Sequence, residues 1–173
     1  LLSGLTLACL FEKSSLRTRV SFEQAMRRLG GTAMTLMPFE IGIGQRESPE
    51  DIARVLAGMV DAIMARARGP VYVLDLHTTS SEGTPFGVVG PTKEHRAFAS
   101  HFALPCMVGL ESQLPGVLTS YLGRRGCVTF AVEGGQHDGA KARDHLVAAV
   151  TVALVASGVF AKQHLPEIDD ANA

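Results

Sequence analysis

The sequence predicts an α/β protein, with a mostly parallel sheet and helices on both faces in three layers. Short apolar runs alternate with helical patterns along the 173 residues. The runs are almost continuously apolar, as is typical of strands covered on both faces. A hydrophobic fraction of 46% is enough for a buried core. We expect strands near 5–11, 32–37, 60–65, 71–77, 104–110 and 127–132, and helices at 20–29, 49–59, 92–103 and 140–159.

Composition excludes some classes of partner. The formal net charge of −1 does not favour binding to nucleic acid or to an anionic membrane. The longest apolar run, residues 146–161, is shorter than the roughly 18–20 residues that a membrane span needs, so it predicts a buried helix. Cys9, Cys106 and Cys127 are scattered and lack metal-ligand spacing. They favour a reduced, cytoplasmic location.

The first two predicted helices have clear starts or stops. A one-sided apolar pattern predicts the helix from Val20, and Gly30-Gly31 ends it. The next helix begins at Ser48-Pro49, with a capping serine, a proline in the first turn and acidic residues directly after. The strand that follows ends at Arg66. Strands alternating with helices in this way favour parallel pairing.

The polar segment 14–19 lies between the first strand and the first helix, where we expect a loop. Amide groups and the helix dipole attract anions at such a place, and Arg17 and Arg19 add charges suited to phosphate oxygens. The simpler interpretation is a capped helix with two solvated arginines. Because ligands bind at the carboxyl ends of parallel strands, Arg66 should lie near this loop. Together these features favour an anion site.

Several segments resemble the carbamoyl-phosphate-binding part of ornithine and aspartate carbamoyltransferases, and more closely the ornithine branch. They are residues 11–23, Leu29-Gly30-Gly31, Arg46-Glu47-Ser48 and residues 61–66. The resemblance covers about residues 5–67. The family's later His-Pro and His-Cys-Leu-Pro segments are absent, so no site for a second substrate is visible.

The resemblance implies that Ser15, Arg17 and Thr18 hold the phosphate of carbamoyl phosphate, or free phosphate. The predicted substrate-binding set also includes Leu16, where the family usually has threonine. Arg66 would contact the carbamoyl carbonyl and polarise it for attack by an amine, and Arg19 would support the loop from behind. This chemistry needs no cofactor. Family members complete their sites across a trimer interface, which implies a homo-oligomer.

Polar residues at two later strand ends suggest a different chemistry. His77 ends the strand 71–77 two residues after Asp75, as a metal ligand with an orienting carboxylate would, although an ordinary polar loop residue fits too. Glu133 follows the strand 127–132 and precedes Gly134-Gly135. It could act as a general base, or be an ordinary acid beside a turn.

Three segments, residues 75–79, 89–99 and 132–138, resemble the succinylglutamate desuccinylase and aspartoacylase family of zinc amidohydrolases. This resemblance covers about residues 70–168 and implies that His77 binds zinc and that Glu133 is the base for the metal-bound water. The family's other two zinc ligands come from an upstream His-x-x-Glu segment. No histidine precedes His77, so the three-ligand set of a catalytic zinc is incomplete.

The chain is therefore interpreted as a composite. Residues 1–68 would be a partial carbamoyl-phosphate-binding unit, and residues 69–173 a partial amidohydrolase unit, in separate sheets or one merged sheet. A natural fusion, an artefact and a synthetic recombination all fit. The short link between strands 60–65 and 71–77 predicts an antiparallel pair if it is a tight turn. Carbamoyl-phosphate binding is the leading hypothesis; zinc-dependent amide hydrolysis and a non-catalytic α/β domain are the alternatives.

Overall fold

The computed structural model describes residues 2–11, 13–42, 46–66, 69–113 and 117–162. In chain order the described elements are β1 (Thr6–Phe11), α1 (Leu16–Arg28), β2 (Thr32–Leu36), α2 (Pro38–Ile41), α3 (Pro49–Met59), β3 (Ala62–Arg66), β4 (Tyr72–Thr79), β5 (Phe86–Val89), α4 (Lys93–Ala99), β6 (Cys106–Val108), a short 3-10 turn (Leu110–Ser112), α5 (Leu118–Gly123), β7 (Val128–Gln136) and α6 (Ala142–Ala156).

The strands form one mixed sheet in the order β2-β1-β3-β4-β7-β5-β6. Four of the six neighbouring pairs are parallel, and the antiparallel pairs are β3 with β4 and β7 with β5. The prediction of a mostly parallel sheet is confirmed, as is the antiparallel pair around the short link. The sheet runs without interruption from strands before residue 68 to strands after it.

Helices cover both faces of the sheet, which confirms the three-layer prediction. Leu7, Cys9 and Phe11 of β1 pack on the face that also holds Met26 of α1 and Leu122 of α5. Ala8 and Leu10 point to the opposite face. That face is covered by α3, α4 and α6, which contribute the buried residues Ile52, Ala53, Leu56, Phe98, Ala99, Leu146, Val150 and Leu154. No described helix is long and apolar enough to cross a membrane.

Some boundaries differ from the prediction. The first helix begins at Leu16 rather than Val20, and a short helix, α2, lies between β2 and α3, where no helix was predicted. The helices near 92–103 and 140–159 are shorter than expected, as is the strand near 104–110. The strand β5 was not predicted. It has only four residues, one of which is Gly87, where a Cβ atom would collide with the ring of Phe130.

Candidate functional site

The predicted anion site lies where β1 and β3 end. These strands run parallel, and the last residue of β1, Phe11, is opposite Arg66, the last residue of β3. The chain leaves β1 and enters α1 within a few residues, so the start of the helix and the backbone of Arg66 share one edge of the sheet. The side chain of Arg66 lies outside the described part of the structure.

Most of the predicted substrate-binding residues lie on a helix rather than in a loop. Ser15 is the N-cap of α1, and Leu16, Arg17 and Thr18 form its first turn. The Ser15 hydroxyl donates to Thr18 Oγ1 at 2.9 Å and makes no cap bond to the helix backbone. No acidic residue lies in this turn. Amide groups at a helix start have no acceptor within the helix, so this turn can bind an anion.

The charged and apolar side chains of the first turn reach solvent. Arg17 is exposed and makes no hydrogen bond or ion pair with any described residue. Leu16 is 78% exposed, and Val20, one turn further along, is 45% exposed. Arg17 can therefore turn toward a ligand without breaking an internal contact.

Arg19 has an internal partner. Its Nε donates to Glu23 Oε1 at 2.8 Å, and the same oxygen accepts a hydrogen bond of 3.0 Å from Thr35 Oγ1 of β2. The hydrogen bond from Arg19, and then that from Thr35, lowers the pKa of Glu23. A carboxylate thus connects the second turn of α1 to the neighbouring strand. The four-residue spacing of Arg19 and Glu23 was a signal for this pair, but Thr35 carried none.

His77 and Glu133 lie at the other edge of the sheet, because β4 runs antiparallel to β3. The register places His77 roughly 20 Å along the strands from Arg66. His77 is the cross-strand neighbour of Glu133, and its Nε2 is 3.1 Å from Oδ1 of the buried Asp75. The hydrogen bond to Asp75 raises the pKa of His77 to about 9, against the opposing effect of burial.

The pKa of Glu133 is also shifted from its ordinary value. Burial raises the pKa of its carboxyl group, and His77 partly offsets this rise. One carboxyl oxygen, Oε2, is buried and has no hydrogen-bond partner among the described residues. Asp75, His77 and Glu133 therefore form a cluster in which the imidazole interacts with two carboxyl groups of the chain itself.

This cluster does not form the predicted zinc site. Within the described ranges, no group of three or more His, Cys, Asp or Glu residues could hold a metal ion. The Nε2 atom of His77 is already engaged by Asp75. His137 Nδ1 is bonded to Thr78 Oγ1 at 2.6 Å, and His145 Nδ1 to the Gly134 carbonyl at 2.8 Å. The roles assigned to His77 as a zinc ligand and to Glu133 as its base are thus without support.

A family model and several curated relatives that match this chain are carbamoyltransferases. A family model described as "Aspartate/ornithine carbamoyltransferase, carbamoyl-P binding domain" matches residues 1–95, and so runs past residue 68, where we expected a boundary. The ornithine carbamoyltransferase of Bacillus subtilis is 38% identical over 120 residues, which are 69% of this chain and 37% of the relative. The putrescine carbamoyltransferase of Mycoplasma capricolum is 53% identical over 76 residues, 44% of this chain and 21% of the relative.

A solved structure of ornithine carbamoyltransferase from Thermus thermophilus is 51% identical to this chain in the matched region. The match covers 38% of this chain and 23% of the solved chain, with a TM-score of 0.35. The chain spans between about a fifth and two fifths of the length of these relatives. The findings give no support to the amidohydrolase resemblance of residues 70–168.

Proposed function

The chain belongs to the aspartate/ornithine carbamoyltransferase carbamoyl-phosphate-binding family, and from this premise we propose that it binds carbamoyl phosphate where β1 and β3 end. The observation that carries the proposal is the register of these parallel strands. It sets Phe11, which precedes the α1 start, directly opposite Arg66. The residues that resemble the family's phosphate loop therefore share an edge with the residue that resembles its carbonyl contact.

Each residue has a role that its chemistry allows. Arg17 and the hydroxyl groups of Ser15 and Thr18 would bind phosphate oxygens, together with amide groups of the first helical turn. Leu16 would contribute its backbone amide, since its side chain is apolar and exposed. Arg66 would direct its guanidinium group to the carbamoyl oxygen. A cation there draws electron density from the carbon and so favours attack by a nucleophile.

In the completed enzyme, the reaction would be carbamoyl transfer to an amine such as that of ornithine. The amine nitrogen bonds to the carbamoyl carbon, the bond from that carbon to the phosphate oxygen breaks, and the nitrogen loses a proton as phosphate leaves. This step uses no metal or organic cofactor. For this chain by itself we propose binding alone, because the given sequence has no counterpart of the His-Pro and His-Cys-Leu-Pro segments that the resemblance links to the second substrate.

We also propose that residues 1–68 form the carbamoyl-phosphate-binding unit and that residues 69–173 complete the same sheet. A homo-oligomer would cover exposed apolar side chains of the first unit, notably Leu16 and Phe39, each 78% exposed. No described contact favours zinc-dependent hydrolysis as a second function.

Thermal unfolding with inorganic phosphate or a bisubstrate phosphonate tests the proposal. A ligand at 100 times its Kd stabilises the folded state by about 2.7 kcal/mol, which raises the Tm of a chain of this size by about 5–10 °C. Arg17→Ala should abolish the gain. Arg28→Ala, which removes an exposed arginine from the last turn of the same helix, should retain it. Equal gains in the two variants would refute the assignment of Arg17.

A further inference from the structure

The contact between Arg19 and Glu23 keeps the Arg19 side chain on the second turn of α1. Ser15, Arg19 and Glu23 follow one another at four-residue spacing and so lie on one face of α1. Long side chains on a helix lean toward its N-terminus, which for Arg19 is the direction of Ser15 and of the proposed anion site. Arg19 Nε instead donates to Glu23, one turn further from that site.

Glu23 is held in place from a second side. Thr35 Oγ1 donates to the same carboxyl oxygen from β2, so the carboxylate is fixed between the helix and the strand. This arrangement is more than a solvated surface pair, because one partner belongs to the sheet. The Arg54 and Glu50 pair on α3 has the same spacing and the same 2.8 Å distance, but no described strand residue bonds to its carboxylate.

We infer that Glu23 determines the charge specificity of the proposed site, by engaging Arg19 and leaving Arg17 as the cation that faces the anion. This inference rests on the proposed function. With Arg66 assigned to the carbamoyl oxygen, a single arginine beside the phosphate group favours an acyl phosphate or phosphate over a more highly charged diphosphate. Glu23 contacts no ligand in this account, so it is a positioning residue that acts through Arg19.

Loss of the Glu23 charge should favour the more highly charged anion. Releasing Arg19 adds a cation near the site and removing the Glu23 charge deletes an anion, and both changes help a diphosphate more than a phosphate. The carboxylate is ionised at neutral pH, since its pKa lies below the ordinary value. Both side chains reach solvent, so screening keeps the effect small.

Isothermal titration with phosphate and with pyrophosphate tests this inference. Glu23→Gln should shift the ratio of the two Kd values by about two- to fivefold in favour of pyrophosphate, the size expected for a partly screened surface charge. The double variant Arg19→Gln with Glu23→Gln should return the ratio to that of the wild type. Glu50→Gln, which breaks the matched pair on α3, should leave the ratio unchanged.

The outcomes separate the inference from the proposed function. If Glu23→Gln leaves the ratio unchanged or weakens both anions equally, or if the double variant fails to restore the ratio, the specificity role is wrong. The proposed function still stands in that case if the wild type binds phosphate and Arg17→Ala abolishes phosphate binding. If the wild type binds neither anion, both are wrong. The Tm of each variant without ligand shows whether it is folded.

Discussion

Polar side chains at the two edges of the sheet, where β1 and β3 end and where β4 and β7 end, differ in burial and in hydrogen bonding. Where β1 and β3 end, Arg17 is exposed, and amide groups of the first turn of α1 have no acceptor within the helix. Where β4 and β7 end, Asp75 is buried and bonded to His77, and the pKa values of His77 and Glu133 are both raised. At the first edge Arg17 has no partner among the described residues, whereas at the second Asp75 already engages His77 and only Glu133 Oε2 lacks a described partner.

If the proposed site is right, a perturbed pKa is a weaker sign of a site in this chain than an exposed cation without a described partner. The shift of His77 has a local cause, a hydrogen bond to a residue two positions away on the same strand. Such ion-pair clusters shift pKa values in structural roles as well as catalytic ones. We therefore expect substitutions at the His77 edge to change stability, and substitutions at the Arg17 edge to change binding.

The largest expected effect is at Asp75. Asp75→Ala removes a buried carboxylate and leaves His77 without its partner, which should lower the free energy of unfolding by about 2 kcal/mol. The value is below that of a fully buried pair because the His77 side chain is 48% exposed. Urea unfolding measures it. The control Asp138→Ala, at an exposed carboxylate, should lower the free energy of unfolding by less than about 0.5 kcal/mol. Equal losses in the two variants would contradict a stabilising role for the Asp75 and His77 pair.

The pH dependence of stability should follow from the same cluster. The pKa of His77 is about 9 in the folded chain and 6.5 when unperturbed, so its contribution is fully present below pH 6.5 and lost as pH rises through 9. The raised pKa of Glu133 acts in the same direction, since ionising that half-buried carboxyl becomes a cost as pH rises above 4.5.

We therefore expect the Tm to fall between pH 6.5 and 9.5, and Asp75→Ala to flatten that fall. His101→Ala, at an exposed histidine, should keep the wild-type slope. A slope that is the same in wild type and Asp75→Ala would mean that other groups dominate.

A smaller effect is expected at Arg17. Because this side chain is exposed and has no described partner, Arg17→Ala should change the free energy of unfolding by less than about 0.5 kcal/mol. Urea unfolding without ligand provides the measurement. A loss above about 1 kcal/mol would show that Arg17 supports the fold, and its effect on phosphate binding would then be indirect.

The smallest effect is expected from zinc. Since the described residues offer no three-ligand group and Asp75 engages His77, equimolar zinc should shift the Tm by less than about 1 °C. Metal analysis after dialysis is the second measurement. Stoichiometric zinc that is lost in His77→Ala would restore the hydrolase hypothesis and reverse the contrast between the edges.

The sequence was informative where burial determines residue type. The central strands β1, β3, β4 and β7 are largely buried and apolar, and this made them predictable. The edge strands β2 and β6 were predicted from short apolar runs although their residues are half-buried or exposed, and the short link between β3 and β4 predicted the antiparallel pairing of those two strands. The strand β5 could not be predicted, because four residues that include a glycine carry too little pattern. The start of α1 was misplaced because an exposed helical turn and a polar loop have the same composition.

The candidate site could be predicted only in part. Segment order and parallel pairing placed residues 15–18 and the end of β3 at one edge, as the structure does. The hydrogen bond from Thr35 to Glu23 depends on how α1 sits against β2, which no local pattern encodes. The contact of Asp75 with His77 was predicted as an orienting contact. The sequence could not predict which imidazole nitrogen Asp75 engages.

The central claim is that anions bind at one edge of this sheet and not at the other. Titration of the ¹⁵N-labelled chain with phosphate, followed by amide chemical shifts, tests it directly. The account predicts saturable shifts confined to residues 13–19 and the end of β3, with residues 75–79 and 133–137 unmoved. Shifts centred on His77 and Glu133, with the first turn of α1 unchanged, would contradict it.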